Sequence, residues 1–142
     1  RVIEKREEVL EVYGGRTQAY KIGNKLIKKS EKEMLLIGSG NKQSVIDVIH
    51  SLKDAVKRGV NCRFIATLYE DNVNLLLEMK KFGIKVKHYP LKNFSMLIKD
   101  RSESMTALKQ VKNRVVIKVR DQDLSLAYAH YFDSLWRKAT PI

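Results

Sequence analysis

Residues 33–38 read EMLLIG, one acid followed by an unbroken apolar run of the kind a strand carries when both its faces are buried. Gly38-Ser39-Gly40 then turns the chain into a helical pattern over residues 43–58. The unit repeats. Arg58-Gly59-Val60 reads as a helix stop, residues 62–68 as a second strand, and Asp71 as the cap of a helix ending at Phe82-Gly83, before a strand over residues 84–88. Strand, helix, strand, helix, strand at this spacing implies a parallel sheet with right-handed crossovers, and so an α/β fold.

The rhythm changes after Pro90. Residues 94–99, 105–108 and 114–119 are short strand candidates with no helix between them, as in a meander or hairpin edge. The chain closes with a helix over residues 121–139, capped by Asp121 or Asp123. Its expected apolar face is Leu124, Ala127, Tyr128, Tyr131, Phe132, Leu135 and Trp136, a core surface rather than a cofactor site. At the other end, Val2, Ile3, Val9, Leu10, Val12 and Tyr13 stand at helical spacing with a seven-residue step resembling a short coiled-coil seam, which Gly14-Gly15 ends. A second helix follows over residues 17–30, with Ala19, Ile22, Leu26 and Ile27 inward. This divides the chain into an N-terminal linker or dimerisation helix (1–15), with Ile3, Leu10 and Tyr13 as candidate dimer contacts, and a single domain (16–142). A seam of this length can equally pack on its own domain.

With 142 residues, 44% hydrophobic and 31% charged, the composition is that of an ordinary soluble domain. No apolar run reaches bilayer length and no secretory signal is visible. The single cysteine, Cys62, has no partner for a disulfide or a zinc site and reads as a core thiol in an intracellular, cytoplasmic protein. The missing initial methionine suggests a piece of a longer chain. A net charge of +12 and a pI near 9.8 draw phosphate polyanions, although the lysines are spread through KIGNKLIKKSEK, KKFGIKVKH and KQVKNRVVIKVR. Aromatics suited to base stacking are few, so sequence-specific RNA binding is not indicated.

Candidate chemistry is sparse. GSGN, containing Ser39 and Asn41, follows a strand and opens a helix, where backbone amides can hold an anion. It lacks the third glycine of a dinucleotide fingerprint and the Gly-Lys-Ser/Thr of a P-loop, so it reads as a tight turn. His50, His88 and His130 are far apart and no spacing suggests a metal site; no cofactor is indicated.

The order of elements, the segment LKDAVKRGVNCRFIATL, the strand NFSMLIKD and the closing YFDSLWRKA resemble the phospholipase D-like domain carried by archaeal transcription regulators of the TrmB type. The resemblance covers nearly all residues after about Thr17, and the N-terminal stretch is similar to the linker after their winged helix-turn-helix. It implies a phospholipase D-like sandwich: a mixed, mostly parallel sheet flanked by helices, with an N-terminal helical linker. Catalytic members of the phospholipase D superfamily carry His-x-Lys-x-x-x-x-Asp on the strand that NFSMLIKD matches. Aligned on Asp100, Asn93 stands where the histidine nucleophile belongs and Ser95 where the lysine belongs. Neither supplies a nucleophile or a fixed positive charge, and His88 is at an odd offset from Asn93. Period two places Asn93, Ser95 and Leu97 on one face. Ser39, Asn41, Asn93, Ser95 and Asp100 are therefore the candidate ligand cleft.

The resulting expectation is a non-catalytic, homodimeric, effector-sensing domain of an archaeal transcription regulator whose DNA-binding winged helix lies outside these residues, with the basic surface as a second attraction to DNA. Two alternatives stand beside it. One is a phosphodiesterase or nuclease of the same fold with a displaced nucleophile; the other is a basic, stand-alone nucleic-acid-binding domain.

Overall fold

The apolar run at residues 33–38 becomes the centre of the sheet. In the computed structural model, which describes residues 9–91, 94–108 and 114–142, strand β2 (Glu33–Gly38) pairs parallel with β3 (Asn61–Ala66) and antiparallel with β5 (Phe94–Lys99). β3 pairs parallel with β4 (Lys85–His88), whose far side holds the short antiparallel β8 (Thr140–Pro141). Beyond β5 come β6 (Glu103–Leu108), β7 (Val115–Val119) and β1 (Leu10–Gly14), giving the order β1-β7-β6-β5-β2-β3-β4-β8. The sheet is mixed, but parallel pairing is confined to β2-β3-β4, so it is not mostly parallel as expected. Helical crossovers join the neighbouring strands β2, β3 and β4, whereas β5, β6 and β7 follow one another without helices and pair antiparallel.

Helices α1 (Arg16–Lys29), α2 (Lys42–Lys57) and α3 (Val73–Phe82) cover one face. Their core includes Ile22, Leu26, Leu52 and Met79 with Leu36, Phe64, Leu97 and Val116 from the strands. Helix α4 (Gln122–Lys138) covers the other face, where Phe132 and Leu135 meet Leu35, Ile37, Ile65 and Ile98. Cys62 is buried in the first core, and burial pushes its thiol up to about 11, as suits an inert packed side chain. No helix among the described residues is long and apolar enough to cross a membrane.

Three local expectations are corrected. Leu10 to Gly14 form an edge strand and not a helix: Leu10 pairs with Val119 and Tyr13 with Val116. LEVYG alternates with period two and carries Val and Tyr, which suit a pleated, half-buried surface, and the seven-residue step was a coincidence of spacing. Leu10 and Val12 point outward, 52% and 61% exposed, while Tyr13 packs on the core and donates to the Glu11 carboxylate. Ile3 lies outside the described residues.

The cap of α3 is Asn72, not Asp71. Its Oδ1 accepts from Tyr69 N at 2.8 Å, and its Nδ2 donates to Gly40 O and Thr67 O at 3.0 and 2.9 Å. On α4, Asp121 does cap, accepting from Leu124 N at 2.8 Å. The buried stripe there is Ser125, Ala129, Phe132 and Leu135, while Leu124, Ala127 and Tyr131 are exposed. Small Ser125 and Ala129 let the helix approach the sheet closely, a role that a search for bulky apolar side chains overlooks.

Candidate functional site

A cavity of about 80 Å³ opens at the carboxyl end of β2, between α1, α2 and the sheet. Its interior is apolar, lined by Leu36, Leu52, Phe64, Met79, Leu97 and Met105; its polar lining includes Arg16, Ser39, Ser44, Asp47, Ser95 and Arg114. Ser95 reaches this space because period two sends it to the α1 side with Leu97, while Met96 and Ile98 face α4. Gly38 is its neighbour across the β2–β5 pair: a Cβ on Gly38 would stand 3.6 Å from Ser95 Cβ, an ordinary contact distance. Ser39 and Ser95 thus line one cavity. Arg16 of α1 and Asp47 of α2 form an ion pair of 2.7 Å between the two helices, and Gln43 Nε2 donates to the same carboxylate at 3.0 Å. A drug-sized pocket is roughly 300 Å³ or more, so this cavity suits a small ligand.

The other candidates have different duties. Asn41 caps α2: its Oδ1 accepts from Gln43 N at 3.0 Å and Ser44 N at 3.4 Å, and its own N–H donates to Ser39 Oγ at 3.3 Å. The GSGN segment is a tight turn held from outside. Gly40 has φ +71, and a Cβ there would lie 2.8 Å from Asn72 Nδ2, so glycine is required for the turn itself. Asn93 lies outside the described residues.

Asp100 does not join the cavity. It follows β5 at the opposite end from Ser95, five residues of extended chain away, roughly 16 Å. There its carboxylate accepts from the backbone N–H groups of Glu31, Lys32 and Glu33 at 3.0, 2.8 and 2.8 Å. Burial alone would raise this carboxyl; the three amides outweigh burial and hold it below the usual carboxylate range.

His88 cannot serve as a displaced nucleophile for this cavity. It sits on β4, three strands from β5 and about 14 Å across the sheet, and its Nδ1 accepts from Leu68 N at 2.9 Å. His50 and His130 are exposed on α2 and α4. Among the described residues no three His, Cys, Asp or Glu side chains come together as a metal site. Among the described residues the cavity lining holds no imidazole or lysine to activate a hydroxyl; it offers hydroxyls, the Arg16–Asp47 ion pair and Arg114.

Sequence reasoning missed a second cluster, at the Asp100 end on the α4 face. Arg101 binds Glu33 at 2.8 Å and Asp133 at 2.9 Å, and Arg63 binds the same two acids at 3.2 Å each. The Arg63 guanidinium also lies over the rings of Phe132 and Trp136, at 5.0 and 5.3 Å. These ion pairs raise Arg101 above its ordinary value. Burial would raise the Asp133 carboxyl, but Arg101 and then Arg63 hold it low. The four charges come from β2, β3, the β5–β6 turn and α4, so no local spacing reveals them.

Residues 10–142 match the family described as transcriptional regulator TrmB, EBD N-terminal subdomain. Among solved structures, the chain is similar to TrmBL2, described as an archaeal chromatin protein with a novel mode of DNA binding: TM-score 0.74 and 19% identity, over 99% of this chain and 57% of that one. The chain therefore spans little more than half of TrmBL2. It is also similar to Nuc of Salmonella typhimurium, a phospholipase D family member, with TM-score 0.72 and 12% identity over 94% of this chain and 98% of that one. NucT of Helicobacter pylori has TM-score 0.72 and 13% identity over the same shares. The fold is thus phospholipase D-like. No curated protein matches the chain.

Proposed function

The chain belongs to the TrmB family of transcriptional regulators, as their EBD N-terminal subdomain, and from that premise we propose that it is a non-catalytic regulatory domain of a cytoplasmic regulator, dimerising and sensing a small polar effector. In this reading the winged helix that reads DNA lies in another part of the regulator. The observation that carries it is that Ser39 and Ser95 line one cavity, with an apolar interior and the charged Arg16, Asp47 and Arg114 also in its lining, in a phospholipase D-like fold. Phosphodiester cleavage on this fold requires a nucleophile and a fixed cation; in the sequence Asn93 and Ser95 stand at those two motif positions, and neutral hydroxyls suit an uncharged polar ligand instead. The outward Leu10 and Val12 of β1 support self-association, since exposed apolar side chains on an edge strand invite cover.

One preparation tests the reading. Hydrolysis of bis(p-nitrophenyl) phosphate should stay at the buffer rate in the chain and in Ser95→Ala alike, and sedimentation should give a dimer that Val12→Lys converts to a monomer. Hydrolysis above buffer that Ser95→Ala abolishes overturns the non-catalytic reading, and a monomer at every concentration overturns dimerisation.

A further inference from the structure

Away from the cavity, the outer side of α1 carries the most one-sided charge of the described helices. Its 14 residues include Arg16, Lys21, Lys25, Lys28 and Lys29 and no acid. Lys21, Lys25 and Lys28 are spaced about one turn apart and fall on the solvent side, opposite buried Ile22, Leu26 and Ile27. Beside them on β7 is Lys118, 8% exposed; burial lowers its ammonium pKa, and nearby Arg120 and Lys25 lower it further. Among the described residues Lys21, Lys25, Lys28, Lys29 and Lys118 form no ion pair, while Arg120 is held by Glu11 at 3.2 Å.

A face that only needs to be wet does not require this arrangement. α2 shows the usual alternative, mixing Asp47 and Asp54 with Lys53 and Lys57. On α1 the pairs Lys21–Lys25 and Lys25–Lys29 are like charges one turn apart, which destabilise a helix unless an external anion neutralises them. The helix is about 21 Å long, the axial reach of about six phosphates on one strand of a duplex. Its single aromatic residue, Tyr20, offers one stacking platform and no series of them, which disfavours a single strand.

We propose that the outer face of α1, through Lys21, Lys25, Lys28 and Lys29, docks on the phosphate backbone of duplex DNA without reading its sequence. The proposal rests on the assignment of the chain to a DNA-binding regulator and adds a contact made by the regulatory domain itself.

The test is fluorescence anisotropy of the chain with a labelled duplex of random sequence, from about 50 to 300 mM salt. The triple variant Lys21→Gln, Lys25→Gln, Lys28→Gln is compared with Lys81→Gln, Lys85→Gln, Lys138→Gln, which removes the same charge from α3, β4 and α4. Thermal midpoints of both triples are measured alongside, to show that each is folded. We expect the α1 triple to flatten the log-log salt slope by about 2 to 3 and to weaken binding at least about tenfold at low salt. The control triple should keep most of the wild-type slope. Equal losses in both triples overturn the proposal, since net charge alone then governs binding; so does absence of wild-type binding at about 50 mM salt. Neither outcome bears on the hydrolysis and sedimentation results, so failure of this contact is distinguishable from failure of the regulatory reading.

Discussion

Asp100 shows how one side chain just past a strand can tie down a loop that is distant in sequence. Its carboxylate closes the α1–β2 loop by accepting from three consecutive amides whose residues are 67 to 69 positions earlier. It also sits at φ 51, a left-handed conformation that Asn tolerates and most residues do not. Its folded pKa lies below the ordinary 3.8, so the stabilisation it gives is complete above that value and is lost as pH falls through the folded one. Asp100→Asn, which keeps the backbone but not the charge, should cost about 1 to 2 kcal/mol at pH 7. The difference should be smaller at about pH 2 than at pH 7, because the charge is lost as pH falls through the lowered folded value. Urea unfolding of both proteins at the two pH values measures this; a gap of equal size at low pH would refute the role given to the charge. Sequence alone located Asp100 after β5, and the period-two reading correctly sent Ser95 to the face of Leu97. The partners of each were illegible, because Glu31 and Gly38 reach them only through the tertiary fold.

Among the elements, those with a strong local pattern were readable: EMLLIG as β2, the inward stripe of α1, and the strands after Pro90. β1 and the face of α4 were not. For β1 the deciding partner is β7, more than 100 residues later, and a short apolar stretch is ambiguous between helix and strand until its partner is known. For α4 the deciding contact is polar: Asp133 clasps Arg63 and Arg101 and so fixes the helix on the sheet beside Glu33. Asp133→Ala leaves two guanidiniums facing one carboxylate. Because the group is partly exposed, the cost should be about 1 to 3 kcal/mol, below that of breaking a fully buried pair. The stacked Arg63 should loosen at the same time, changing the emission of Trp136, the single tryptophan. Fluorescence-monitored denaturation reads both, and an unchanged spectrum with unchanged stability would show that Asp133 does not hold α4 in place.

Across the whole molecule, the parallel β2-β3-β4 unit was legible, whereas the side on which the later strands dock was not. An antiparallel meander can join either edge of a parallel sheet, and here β5 lies against β2. That choice puts β5 and β6 beneath α1, so one helix roofs the cavity through Ala19, Tyr20 and Gly23 while its other side carries the unpaired lysines. Gly23 makes this dual position testable. It stands inside α1, and a Cβ there would meet Leu97 Cδ2 at 3.5 Å and Met105 Cε at 3.7 Å, ordinary contact distances without backbone strain. Gly23→Ala should therefore stabilise the chain by about 0.5 to 1 kcal/mol from helix propensity, with a further small gain from filling space. The same methyl group narrows the cavity that the effector reading requires. With glycerol as a small neutral probe, amide shifts near Ser39 and Ser95 should saturate in the wild-type chain and be lost in the more stable Gly23→Ala. Loss of stability in Gly23→Ala would show that the space is not spare, and identical glycerol shifts in both proteins would show that the ligand does not enter beneath α1.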